Sequence, residues 1–239
     1  GDVWQAMGKK ETSIERYRRA LEISPKNVVA LIRLGNIQSN ISQLTEAATS
    51  YRQALSLAPH NAEANLNLCS VLIDLGQPGP AEVCCRDVLA LEPDCAEAHN
   101  NLGLIMKARR QDEAAIECFQ KALSLKVNFS SAHINLGSLY QTMGKLGEAQ
   151  ASYRAAIAIN PDAAAAHSNY GNVLQSLGHF EQAKVSYFRA LELEPDLALA
   201  HNNLGTLYER GGNLRDAATR YERAIKLKHD YAEAYSNFG

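Results

Sequence analysis

The sequence lacks a charge excess of either sign. Lys and Arg number 24 against 26 Asp and Glu, a net charge of −2. That leaves no clustered basic footprint of the kind nucleic-acid phosphates require. No apolar run approaches the roughly 20 residues needed to span a bilayer, so no membrane segment is expected. Cysteine is sparse and odd in number: Cys69, Cys84, Cys85, Cys95 and Cys118 fit no disulfide framework, which favours a reducing compartment. There is no Gly-rich phosphate loop, and no nucleophile, base and acid assemble at helical spacing. Catalysis within these 239 residues is therefore not expected, nor is a cofactor or a metal site. The chain opens at Gly1 without an initiator Met, signal peptide or transit peptide. Both ends cut through the repeat described next, so a piece of a longer protein is expected, cytoplasmic and/or nuclear.

What the sequence does have is a period. Take Ala164 to Leu197, AAAHSNYGNVLQSLGHFEQAKVSYFRALELEPDL, as a 34-residue unit with Ala164 at position 1. Six full units then follow without insertion or deletion: 28–61, 62–95, 96–129, 130–163, 164–197 and 198–231. Residues 1–27 enter in mid-unit and 232–239 begin a further one, stopping with Gly239 at position 8, so a single array over 1–239 is expected. Small residues recur at position 8 (Gly35, Gly103, Gly137, Gly171, Gly205) and an alanine at position 20 in all six full units. An aromatic recurs at position 24 (Tyr17, Tyr51, Phe119, Tyr153, Tyr187, Tyr221) and a proline at position 32.

Each unit reads as two helices, over positions 1 to 14 and about 17 to 31. Glycine at position 15 (Gly8, Gly76, Gly144, Gly178, Gly212) tolerates the left-handed turn between them. Proline at 32 (Pro25, Pro59, Pro93, Pro161, Pro195) ends the second helix. Val127 and His229 replace it, which predicts less sharply punctuated connections there. The small positions let the two helices approach, and the aromatic fills the space against the next unit. The 62–95 unit departs from the pattern, with Cys69 at position 8, Cys85 at 24 as a small core residue, and Pro78 and Pro80 where its second helix begins. That helix is expected to start late, near Pro80, making this unit a candidate bend or weak point.

This pattern resembles the tetratricopeptide repeat over the whole chain. The resemblance implies an all-α fold, a right-handed superhelical solenoid of antiparallel helix pairs whose first helices line a concave groove. It places positions 2, 5, 6, 9, 12 and 13 on that groove. Position 6 is Asn67, Asn101, Asn135, Asn169, Asn203 and Asn237, interrupted by Arg33; Asn172 lies at position 9. An amide both donates and accepts, so such a ladder could hold the backbone of an extended peptide whatever its sequence; the alternative is that these asparagines support packing. The lining of units 130–163 (Ile134, Ser138, Gln141, Thr142) and 164–197 (Ser168, Asn172, Gln175, Ser176) is uncharged. The family's chaperone-tail clamp needs lysines at positions 5 and 2, and none occurs. Position 4 is histidine in four consecutive units, His99, His133, His167 and His201. Their repeat spacing, about 10 Å or more, is too long for shared metal bonds of ~2 Å, so packing is expected.

The motifs AHNNLG (98–103, 200–205), AHINLG (132–137), AHSNYG (166–171) and AYSNFG (234–239) are similar to those of the repeat arms of O-linked N-acetylglucosamine transferases. That resemblance implies a substrate- and partner-recognition arm, with peptide contacts from Asn67, Asn101, Asn135, Asn169 and Asn203. The alternative is a non-enzymatic scaffold for a multiprotein complex. Partners are expected to be proteins or extended peptide segments, with no nucleic acid. A homo-oligomer is possible, because the apolar side of the last half-unit is uncovered and should fray or self-associate.

Overall fold

A computed structural model describes residues 2–238, with side chains described from Glu11 onward. Among them there are fourteen α-helices and no strand. The chain divides into two compact units, 1–127 and 128–239. In the first, α1 (Asp2–Ile23) precedes three hairpins: α2 (Val28–Asn40) with α3 (Leu44–Leu57), α4 (Ala62–Asp74) with α5 (Pro78–Leu91), and α6 (Ala96–Ala108) with α7 (Asp112–Leu125). In the second, α8 (Ser130–Thr142) pairs with α9 (Leu146–Ile159), α10 (Ala164–Ser176) with α11 (Phe180–Leu193) and α12 (Ala198–Arg210) with α13 (Leu214–Leu227), followed by α14 (Ala232–Phe238). Within each unit the second helix of one hairpin packs on the first helix of the next. Every full repeat thus places its helices at positions 1–13 and 17–30, each one residue short of the predicted end.

The turns have one local cause. In all six repeats the amide at position 16 donates back to the carbonyl at position 11, over 2.8–3.0 Å (Gln77 to Leu72 and His179 to Leu174 among them). Closing that bond requires a left-handed residue at position 15. Gly76, Gly144, Gly178 and Gly212 supply it with φ between 68° and 80°. Ser42 (φ 62°) and Arg110 (φ 61°) hold the same conformation without being glycine, at a cost of order 1 kcal/mol each. The turn is imposed by the hairpin and not only by its residue. At two junctions between repeats, Asn27 and Asn61 cap the following first helix, accepting from the Ala30 and Ala64 amides at 3.0 and 2.8 Å.

Several expectations are corrected. α1 runs unbroken through Gly8, where a turn is expected. α7 and α13 end at the same repeat position as the proline-bearing helices, despite Val127 and His229. There the amides of Lys126 and Lys228 bond back to the Ala122 and Ala224 carbonyls at 2.9 and 3.0 Å, as Ala58 does to Ala54, so packing around the buried position-27 alanine sets the end. α5 starts in register at Pro78, not late, because the amides missing from Pro78 and Pro80 fall in a first turn that has no carbonyl partners. Gly239 lies outside the described residues.

The core repeats with the sequence. Alanines at position 20 (Ala47, Ala81, Ala115, Ala149, Ala183, Ala217) are at most 2% exposed, and Tyr51, Phe119, Tyr153, Tyr187 and Tyr221 are equally buried. Each of these rings lies over the glycine at position 8 of its own hairpin. A Cβ added at Gly35, Gly103, Gly171 or Gly205 would stand 2.6 Å from a ring carbon, and at Gly137 3.0 Å. The 62–95 repeat solves the same contact differently. Cys69 and Cys85 are joined as a disulfide, with Cα atoms 6.1 Å apart. This corrects the reading of the cysteines as fitting no disulfide framework and of Cys85 as a plain core residue. The hairpin, and not a short-domain spacing, brings positions 8 and 24 together. Cys84, Cys95 and Cys118 are free thiols. Outside, exposed pairs such as Arg189–Asp162 (3.0 Å) and Arg223–Asp196 (2.6 Å) join position 26 of one repeat to position 33 of the one before, each worth at most about 1 kcal/mol.

Candidate functional site

The first helices bring the asparagines to the groove, but most are already engaged there. Within 1–127, Asn67 Nδ2 donates to Asn36 Oδ1 (2.9 Å) and Asn101 Nδ2 to Ser70 Oγ (3.0 Å). Within 128–239, Asn203 Nδ2 donates to Asn172 Oδ1, and Asn237 Nδ2 to Asn202 Oδ1 (3.2 Å). Position 6 of one repeat therefore ties to position 9 of the repeat before it, with Asn237 reaching position 5 instead. Asn135 and Asn169 are half-buried on the same helix face. Asn169 makes no side-chain hydrogen bond among the described residues, and so keeps both its donor and its acceptor for a ligand. The ladder is thus a fastening between helices as well as a row of amides, and each bonded position-6 amide still has its second N–H and its carbonyl oxygen to turn to a peptide, the Asn203 oxygen already accepting from Asn202 Nδ2 (3.4 Å).

A second set of groove groups was not read from the sequence: the tyrosine hydroxyls. The ring at position 24 passes over the glycine at 8, and its hydroxyl emerges among the groove residues of its own repeat. Tyr51 OH donates to Asn36 Oδ1 (2.7 Å), and Tyr187 OH is shared between Asn172 Oδ1 (2.7 Å) and Gln175 Oε1 (2.9 Å). Tyr153 OH reaches Gln141 Oε1 (3.2 Å) and Tyr221 OH reaches Glu209 Oε2 (2.7 Å). The oxygens of Asn36 and Asn172 therefore each accept from a tyrosine below and from the next repeat's asparagine. The signal was present in the sequence: tyrosine at 24 coincides with Asn, Ser or Thr at 9 (Asn36, Ser138, Asn172, Thr206), while Phe119 coincides with Leu104.

Burial pushes the phenols of Tyr51, Tyr153 and Tyr221 up from 10 to about 12, and that of Tyr187 further. A raised folded-state value means the neutral phenol is favoured by folding. The stabilisation is complete below pH 10 and is lost as pH climbs through 12. Phenolate absorbance should rise in two phases, the later one accompanied by loss of helical circular dichroism above about pH 11. A single phase near pH 10 with helix retained would show that these hydroxyls are solvated.

The groove opens into a depression of about 350 Å³ in the first unit, lined by Asn36, Asn40, Glu63, Asn67 and Ser70. A larger one in the second, about 520 Å³, is lined by Gln141, Asn172, Gln175, Phe180, Asn203 and Arg210. In the latter, Arg210 stacks on the half-exposed Phe180 with 4.7 Å to the ring centroid, a shelf the sequence reading missed because Phe180 opens a second helix. Position 5 is corrected. Ile32, Asn100, Ser168 and Asn202 are buried, and Ile134 packs with Tyr153 and Val173. This position faces the next first helix, as the bond from Asn202 Nδ2 to Glu233 Oε1 (3.3 Å) shows. Arg33, which interrupts the ladder, pairs with Glu63 at 3.2 Å. The histidines act as clamps: Nε2 of His99, His167 and His201 meets the carbonyls of Pro93, Pro161 and Pro195 at 2.9–3.0 Å, holding the preceding loop. Burial lowers the His201 pKa, keeping the ring neutral.

Stacked hairpins fastened through a glycine–aromatic contact define a helical-repeat protein, with a polar amide groove on its first helices. The chain belongs to the tetratricopeptide-repeat family: models described as "Tetratricopeptide repeat" or "TPR repeat" match residues 42–105, 96–128, 142–212 in two overlapping segments, and 200–235. No curated protein matches the chain. Among solved structures, the APC/C hetero-tetramer Cut9-Hcn1 is similar at 15% identity and TM-score 0.86, covering 97% of this chain, which spans 46% of that one. A tetratricopeptide repeat protein from Parabacteroides merdae is similar at 20% identity and TM-score 0.75, covering 99% of this chain and 93% of that one. Pseudomonas aeruginosa pilF is similar at 19% identity and TM-score 0.70, covering 95% and 97%. At these identities the likeness establishes the fold alone. Among the described residues no helix is long and apolar enough to cross a membrane.

Proposed function

We propose that the repeats form one protein-binding array over 1–239 that holds an extended segment of a partner protein along the groove, through backbone hydrogen bonds from Asn67, Asn101, Asn135, Asn169, Asn203, Asn172 and Asn237. The observation that carries this reading is the pinned state of the amides. Asn36 and Asn172 are each fixed by two donors, so neighbouring amides are ordered before a ligand arrives and lose little freedom on binding. The floor of the groove at Gln141, Asn172 and Gln175 is uncharged, with Arg210 and Glu233 also lining the depression as one charge of each sign, and this suits tolerant backbone recognition over charged-tail capture. We further propose that the array serves as the recognition arm of an O-linked N-acetylglucosamine transferase-like protein. The AHNNLG-type motifs and the gap-free period support this, and a nucleotide-sugar-binding domain following Gly239 in the full-length protein is its test. A non-enzymatic scaffold is the second reading, favoured by the likeness to a subunit of a hetero-tetramer.

Binding to a library of unstructured peptides tests the groove directly. Asn169→Ala should weaken binding by roughly 3- to 10-fold, the worth of one hydrogen bond, without lowering stability. The combined Asn101, Asn135, Asn169 and Asn203→Ala variant should lose binding while remaining helical, and binding by the native chain should be sequence-tolerant and insensitive to salt. Binding by the quadruple variant equal to that of the native chain would make the ladder purely structural.

A further inference from the structure

The 62–95 repeat is the one full repeat that lacks the glycine–aromatic contact. Cys69 stands where the other five have glycine, and Cys85 where they have Tyr or Phe. Both are fully buried and joined, with a Cα separation of 6.1 Å that lies inside the ordinary disulfide span. The two replacements depend on each other. With the ring gone, a Cβ at position 8 has the room that Tyr51 or Phe119 denies it in neighbouring repeats. Val88 at position 27, where every other full repeat has alanine, is also fully buried and returns part of the ring's volume. A disulfide supplies the rest as a covalent link between α4 and α5.

We propose that Cys69–Cys85 is a redox-responsive staple. Oxidised, it holds α4 on α5 in place of the aromatic ring; reduced, it leaves the hairpin under-packed, and the groove between Asn67 and Asn101 loosens. The exchange partner is another disulfide, of which glutathione disulfide is the simplest. One cysteine thiolate attacks a glutathione sulfur, forming a protein–glutathione mixed disulfide and expelling one glutathione thiolate. The second cysteine thiolate then attacks the protein sulfur of that mixed disulfide, closing the Cys69–Cys85 bond and expelling the second glutathione thiolate. The two cysteine protons end on the two glutathiones, and two electrons pass from the dithiol to glutathione disulfide. Because both sulfurs are buried, exchange in either direction requires the α4–α5 hairpin to open, which makes the bond slow to reduce in the folded chain. The adjacent Cys84 competes poorly, since burial raises its pKa and keeps it a thiol.

The test uses the whole chain, equilibrated with glutathione disulfide or with dithiothreitol. After alkylation in denaturant without reductant, the oxidised sample should yield a linked Cys69/Cys85 peptide pair with neither of these sulfurs alkylated and Cys84, Cys95 and Cys118 alkylated, while the reduced sample should yield separate peptides with all five cysteines alkylated. Amide exchange over 62–91 should be roughly tenfold or more faster in the reduced chain, while other hairpins keep their rates. Cys69→Gly combined with Cys85→Tyr and Val88→Ala restores the common contact and should give slow exchange in both conditions. Equal exchange in the oxidised and reduced native chain, absence of the linked pair, or redox-sensitive exchange over 62–91 persisting in the triple variant would each overturn the proposal.

Discussion

Tyr187→Ala should cost about 3–5 kcal/mol of local stability, the usual penalty for emptying a fully buried aromatic site. The ring is completely buried between Gly171, Ala183 and Leu204. Its hydroxyl also supports Asn172 and Gln175 in the groove. Truncation therefore removes packing and unpins the amides together, and Tyr187→Phe separates the two effects. Asn172 keeps its bond from Asn203 in that variant and Gln175 borders open groove, so the loss should be only about 1 kcal/mol, with peptide binding weakened more than stability. Repeat arrays gain stability from each hairpin and its nearest neighbours. Amide exchange should accordingly accelerate across α10 and α11 in Tyr187→Ala and stay unchanged in α2 and α3. Uniform acceleration along the chain would mean that it unfolds as one block.

How far the sequence alone led is visible in which residues were misplaced. The 34-residue period set the helices of the six full repeats to within one residue, except the start of α5, expected near Pro80 and found at Pro78, because a gap-free repeat states the same hairpin six times and averages out local irregularity. Where a repeat departs from its neighbours, averaging fails. Ser42 and Arg110 sit in a conformation their own propensities oppose, and only the position-16 to position-11 bond explains them. Cys69 and Cys85 look unrelated at a separation of 16 until the hairpin lays position 8 against position 24. The groove was legible as a row of asparagines but not as a network. Donor and acceptor assignments depend on the rise between successive first helices, which no single unit encodes. Position 5 was misplaced for the same reason, since its side chain meets a helix that begins about thirty residues later.

Gly171→Ala and Gly137→Ala should differ in cost although the two glycines occupy the same repeat position. The added Cβ at 171 would sit 2.6 Å from Tyr187 Cε1, and at 137 3.0 Å from Tyr153 Cε1. Both rings are fully buried, and neither can swing aside without breaking its hydroxyl bond to the groove. In an exposed helix the change to alanine would gain roughly 0.5–1 kcal/mol of helix propensity. Overpacking of a tight core costs typically 1–3 kcal/mol, so at 171 it should win and lower stability by about 1–2 kcal/mol net. At 137 the ring needs to give by only a few tenths of an ångström, and the two effects should nearly cancel. Urea titration of the two variants beside the native chain measures the difference. The contact has a built-in control in Tyr187→Leu, whose smaller side chain should relieve the clash, so that Gly171→Ala costs less in that background than in the native one. Equal losses at 137 and 171, or no coupling to residue 187, would mean that the glycines serve the helix backbone and not the ring above them.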